Sequence, residues 1–91
     1  MVESMWEIKF TKAAEKDKKL LKQAGLDSKA KKLLYLIADD PFQTPPSFEK
    51  LIGDLKGYYS RRINIQHRIV YKVYTELKIV VIHAMWTHYG N

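Results

Sequence analysis

Cysteine is missing from this chain altogether. Its absence excludes a disulfide framework, thiolate zinc sites and cysteine nucleophiles, and fits a reducing compartment. Glycine and proline are scarce, four and three among 91 residues. No glycine-rich phosphate loop and no Gly-x-Ser-x-Gly elbow can be found. Long apolar runs are missing too. The longest, Ile79 to Ile82, is far short of the roughly 18 residues a membrane span needs. The N-terminus carries no apolar segment of the secretory kind, so a cytoplasmic protein without a membrane is expected. The three histidines lack paired acidic ligands, and no metal site is expected.

What the chain has is positive charge. Sixteen Lys and Arg face ten Asp and Glu, giving a net charge of +6 and a pI near 9.6. Such a surface attracts polyanions, RNA and DNA among them. Nine of the lysines crowd between positions 9 and 32. The three arginines, Arg61, Arg62 and Arg68, lie in the second half. The division matters because arginine grips phosphate in a fixed fork, whereas lysine acts as a mobile point charge. A hydrophobic content of 46% argues for a packed fold, and the length suits a single domain over 1–91.

Periodicity predicts the elements. Trp6 to Phe10 alternates apolar and polar, as a half-buried strand does. Thr11 is a candidate N-cap for a helix carrying Ala13, Ala14, Leu20, Leu21 and Ala24, ended by Gly25. Asp27 opens a second helix with Ala30, Leu33, Leu34 and Ile37 at helical spacing, closed by Asp39-Asp40-Pro41. A proline-rich loop spans 41–47, then a short strand over 48–51 and a turn from Gly53 to Gly57. Tyr58 to Ile65, Arg68 to Tyr74 and Lys78 to Trp86 read as three strands with short, hairpin-like connections. The Ile79–Ile82 run, apolar on both faces, reads as a central strand covered by the helices. The order predicts an α+β domain, β-α-α-β-β-β(-β), with two N-terminal helices on a mainly antiparallel sheet.

The densest information lies in GYYSRRINIQHRIVYKV, residues 57–73. Side chains alternate faces along a strand, so only one of Arg61 and Arg62 can share a face with Arg68. Tyr58, Tyr59, His67 and Tyr71 interleave with these arginines. That mixture suits stacking on unpaired bases with phosphate contacts, although strand tyrosines also serve sheet packing. Taken alone, Glu49 reads as a solvated charge, His67 and His83 as structural histidines and His88 as part of a chain end.

Taken in order, the motifs say more. FEKLIGDLKGYYSRRINIQHRIVYKV followed by the closing His88-Tyr89 resembles the YoeB/Txe family of bacterial toxin endoribonucleases, in the RelE-like superfamily. The resemblance implies a RelE-like, microbial-RNase-like fold and a toxin of a type II toxin–antitoxin system. Such toxins cleave messenger RNA in the ribosomal A site without metal or cofactor and so inhibit translation. The implied partners are mRNA, the ribosome and an acidic antitoxin of the YefM/Axe type, and the resemblance also allows a homodimer. Carried over residue by residue, it implies catalytic roles for Glu49, Arg68, His88 and Tyr89. RNA contacts are implied for Arg62, with Arg61, Lys50 and Tyr59 as further candidates. Where relatives carry a lysine after the glutamate this chain has Ile52, with Lys50 as the neighbouring cation, and Gly90 and Asn91 follow the closing pair. The competing reading is a basic RNA- or DNA-binding module without catalysis, which accounts for the charge but not for the Glu49, Arg68 and His88 set.

Overall fold

The computed structural model describes residues 5–86. The chain runs β1 (Glu7–Phe10), α1 (Lys12–Gln23), α2 (Asp27–Asp39), β2 (Glu49–Lys50), a 3-10 turn (Gly53–Leu55), β3 (Tyr58–Arg62), β4 (Arg68–Tyr74) and β5 (Ile79–Ala84). The five strands form one sheet in the order β1-β5-β4-β3-β2. All pairings are antiparallel except β1 on β5, which is parallel. The expected α+β arrangement is therefore present, with two helices packed on a mainly antiparallel sheet.

Local chemistry sets the helix ends. The Thr11 hydroxyl accepts from the Ala14 N–H at 3.1 Å, capping α1. At the other end Gly25 takes φ +75°, a left-handed conformation cheap only for glycine. Leu26 N–H then reaches back to the Leu21 carbonyl and Gly25 N–H to that of Lys22, satisfying carbonyls the helix leaves open. The connection is so tight that α2 starts at once, and the Asp40 carboxylate accepts from Phe42 N–H as the chain turns out of it.

One face of the sheet carries the core. Ala14 and Leu21 of α1, with Ala30, Leu33 and Ile37 of α2, meet Ile69 and Tyr71 of β4 and Val80 and Ile82 of β5. Of the apolar residues expected on α1, Ala13, Leu20 and Ala24 point outward, so the buried stripe is narrower than the composition suggested. The β5 run sits between β1 and β4, inside the sheet but not at its centre. Its Val80 and Ile82 meet the helices, whereas Ile79 and Val81 are half-buried on the opposite, helix-free face. That helix-free face is the open face of the sheet.

Candidate active site

Strand alternation and register decide which side chains meet. Arg62 pairs with Arg68 across β3 and β4, and Ser60 pairs with both Glu49 and Val70. Paired residues share a face, so Glu49, Ser60, Arg62 and Arg68 stand together on the open face. There Arg68 Nη1 donates to Glu49 Oε1 at 2.6 Å and to Ser60 Oγ at 3.3 Å. Two arginines directly opposite each other repel, and one carboxylate offsets that only in part. The group is thus a carboxylate, a hydroxyl and the Arg68 guanidinium in contact, with Arg62 across the strand pair on the same face. Arg62 is exposed, and the side chain of Glu49 keeps 60% of its accessible surface. An exposed ion pair of this kind contributes little to stability. Its value is geometric, since it holds the carboxylate in one place with a lone pair facing solvent.

Three of the expected RNA-contacting residues do not join this group. Arg61 points through the sheet to the helix side and is buried, 1% exposed. Its Nε donates to the Tyr71 hydroxyl at 3.0 Å, its Nη1 to the Pro46 carbonyl at 2.6 Å, and its Nη2 to those of Pro41 and Gln43 at 3.0 and 2.7 Å. The Phe48 ring lies 5.0 Å from the guanidinium carbon. Arg61 is a clamp that holds the proline-rich loop to the sheet, with four of its five N–H groups donating. The expectation of an RNA contact there does not fit its burial. Tyr59 also faces the helix side, where it stacks on Tyr71 at 5.9 Å and meets Phe42 and Phe48 edge-on. Lys50, its cross-strand partner, lines with it a hollow of about 400 Å³ beside β2. The clamp has a consequence for Tyr71: burial pushes its hydroxyl above the ordinary 10.0, while the Arg61 bond and charge pull the other way.

His88 and Tyr89 lie outside the described residues. The chain leading to them is, however, firmly placed. The Asp17 carboxylate of α1 accepts from Met85 N–H at 3.0 Å, and the Met85 side chain is buried. The His67 ring stacks on Trp86 with centroids 4.1 Å apart, and its Nδ1–H donates to the Trp86 carbonyl. His67 immediately precedes Arg68, and the Val70 to Ala84 pairing runs the end of β5 toward that same end of β4. The chain therefore leaves the sheet beside Arg68.

Sequence reasoning gave no role to His83, which meets the base-stacking candidate Tyr58 on the open face. The β4–β5 register slips between Val70 and Tyr71, leaving His83 as an extra residue in a β-bulge. Its ring meets Tyr58 edge-on at 4.9 Å. Burial, and then the positive charge of Lys72, hold the His83 imidazole below the ordinary 6.5. Nothing local in the sequence announces a bulge, so only the pairing reveals why this histidine is aimed outward. Among the described residues no group of His, Asp or Glu is arranged to hold a metal ion, and no helix is long and apolar enough to cross a membrane.

Solved structures that superpose on this fold are bacterial toxins of the RelE-like kind. A YoeB/ParE toxin from Agrobacterium tumefaciens matches with a TM-score of 0.82 at 28% identity, over 91% of this chain and 99% of that one. YoeB from Staphylococcus aureus, solved as a dimer, matches at 0.79 with 34% identity over 93% and 99%. The same toxin solved with YefM matches at 0.77, again 34% identical, over 92% and 98%. In sequence, the toxin YoeB of Streptomyces coelicolor is 42% identical over 76 residues, 84% of this chain and 81% of that protein. The family model for YoeB-like toxins of bacterial type II toxin–antitoxin systems matches residues 2–89. The chain belongs to that family, and the resemblance read from its motifs is correct.

Proposed function

We propose that this toxin is a ribosome-dependent endoribonuclease that cuts mRNA in the A site by metal-free transesterification. The observation that carries the reading is the Glu49–Arg68 pair at 2.6 Å on the open face, flanked by Ser60 and Arg62. Glu49 takes the proton from a ribose 2′-hydroxyl. The freed oxygen attacks the adjacent phosphorus, forming the 2′-O–P bond as the P–O5′ bond breaks. His88 gives a proton to the departing 5′-oxygen, and an imidazole suits that duty because it exchanges protons near neutral pH. The products are a 2′,3′-cyclic phosphate and a free 5′-hydroxyl, with no redox change. Arg68, with Arg62 opposite, neutralises the crowded phosphorane through fixed donors that need no reorganisation. Tyr89 hydrogen-bonds the phosphate or stacks on a base. Proton transfer by one positioned group contributes about 10²–10⁴-fold, so losing either partner should silence the toxin.

The partners follow from charge and from the relatives. A +6 protein acts where RNA is dense, and a cytoplasmic setting supplies ribosomes. The Staphylococcus aureus toxin was solved both as a dimer and with YefM. For this chain the corresponding proposals are a homodimer and an acidic antitoxin that folds on contact and covers Arg68 or the His88 end. The test is to map transcript 5′ ends in cells after induction of the parent, Glu49→Ala and His88→Gln. New ends confined to translated codons in the parent alone support the reading. Parent-level cutting by either variant rejects its role.

A further inference from the structure

We infer that Tyr58, Lys72 and His83 form a subsite for the nucleotide next to the cleaved linkage, an inference that rests on the nuclease reading above. Three observations converge. Tyr58 and Lys72 are cross-strand partners on the open face, one pleat along from Ser60 on β3. That step is about 7 Å, of the order of one nucleotide in an extended strand. The subsite therefore continues the Glu49–Arg68 line along the sheet instead of competing with it.

Second, the two rings are set up as a platform. Tyr58 stands on β3 and His83 on β5, two strands apart, which separates their backbones by roughly 10 Å. Their ring centroids are nevertheless 4.9 Å apart. Both side chains must lean inward over β4, and the small Val70 between them is 1% exposed. The bulge at His83 is what lets β5 aim its ring this way. An aromatic face fixed by an edge-on neighbour costs little further entropy when a base stacks on it, and such stacking tolerates any base. Lys72 Nζ lies over the Tyr58 ring, 5.3 Å from its centroid, so a stacking base displaces this mobile ammonium toward the phosphate that follows.

Third, a polar atom is left waiting. His83 Nε2 is buried and has no hydrogen-bond partner among the described residues. Buried donors and acceptors are almost always paired, and the exceptions call for a reason. A base edge arriving beside the ring would supply the missing partner once the flexible Lys72 side chain moves aside. The fold gains nothing from the unpaired nitrogen, whereas a nucleotide site does.

The probes are a dinucleotide and a trinucleotide carrying a 2′-deoxyribose at the cut position, titrated into the full chain. The parent should bind the trinucleotide about tenfold more tightly than the dinucleotide. Tyr58→Leu should erase that difference and leave dinucleotide binding unchanged. Lys72→Gln, a change at a partly exposed site that the fold tolerates, should lower the salt dependence of trinucleotide binding by about one ion. The His83 ring resonances should shift with the trinucleotide only. Equal affinity for the two lengths in the parent overturns the subsite, as does equal loss for both lengths in Tyr58→Leu. Cleavage of translated mRNA is scored separately. A protein that reads the third nucleotide yet never cuts loses the nuclease reading and keeps the subsite, and one that cuts with length-independent binding does the reverse.

Discussion

Arg61 and Arg62 are adjacent in sequence and opposite in fate. One is sealed under the proline-rich loop, and its neighbour stands in solvent across from Arg68. The contrast predicts two different failures. Arg61→Ala strips partners from three carbonyls and the Tyr71 hydroxyl, and should cost about 3 kcal/mol or more in urea unfolding, since hydrogen bonds to charged groups contribute about 1.5–3 kcal/mol each. Arg61→Lys should recover little of it, because an ammonium cannot span the fork. Arg62→Ala should change stability by about 0.5 kcal/mol at most and weaken RNA binding instead. If Arg61→Ala unfolds at the parent's urea midpoint, the clamp is not what holds the loop. The alternation rule had already said that these arginines must part. Which of them joins Arg68 depends on the β3–β4 register, a long-range fact that no local pattern carries.

At the scale of elements, the caps and periods were legible because they are local. Thr11, Gly25 and the Asp39-Asp40-Pro41 stop each act within a turn of their own position. Strand β4 begins and ends where its residue types predicted, and β3 and β5 stop short of the expected limits because 63–67 and 85–86 turn away into side-chain contacts. The parallel β1–β5 pairing and the bulge at His83 were not legible, since both arise between segments some seventy and a dozen residues apart. The bulge carries a pH prediction. The folded protein holds His83 below 6.5 through burial and the nearby Lys72, with the Tyr58 ring against it. The unfolded chain therefore takes up that proton first as pH falls. Stability from this group is present above 6.5 and is lost as pH drops through the folded value. Thermal melts from pH 8 to 5 should show this decline in the parent and a shallower one in His83→Asn. Identical slopes would mean that the bulge leaves the imidazole as it is in a free chain.

For the whole molecule, most of the lysines and the Glu49–Arg68 pair sit on opposite sides of the sheet. The helices that carry most of the lysines cover one face of the sheet, and the Glu49–Arg68 group occupies the other. The molecule is 27 Å across at its thinnest, while exposed charges are screened beyond about 8 Å at physiological ionic strength. Under the proposed function, the lysines serve direct contact with RNA and do not reach the Glu49–Arg68 group. Replacing Lys16, Lys19, Lys29 and Lys32 together with glutamine should flatten the salt dependence of ribosome binding, with a slope change of about three to four. Cutting at saturating toxin should stay near the parent rate. A parallel fall in the cutting rate would mean that the helix face takes part in the chemistry. The roles of His88 and Tyr89 rest on the family motif alone, since both lie outside the described residues, whereas Met85 and Trp86 before them are tied to Asp17 and His67.

The proposed activity requires that a phosphodiester be cut on the open face. Translating ribosomes incubated with purified parent or Arg68→Gln, followed by analysis of the fragment ends, test this most directly. The parent should release fragments ending in 2′,3′-cyclic phosphate, and Arg68→Gln, folded to the same stability, should release them about 10²–10³-fold more slowly. Intact mRNA with the parent, or equal cutting by Arg68→Gln, would contradict it.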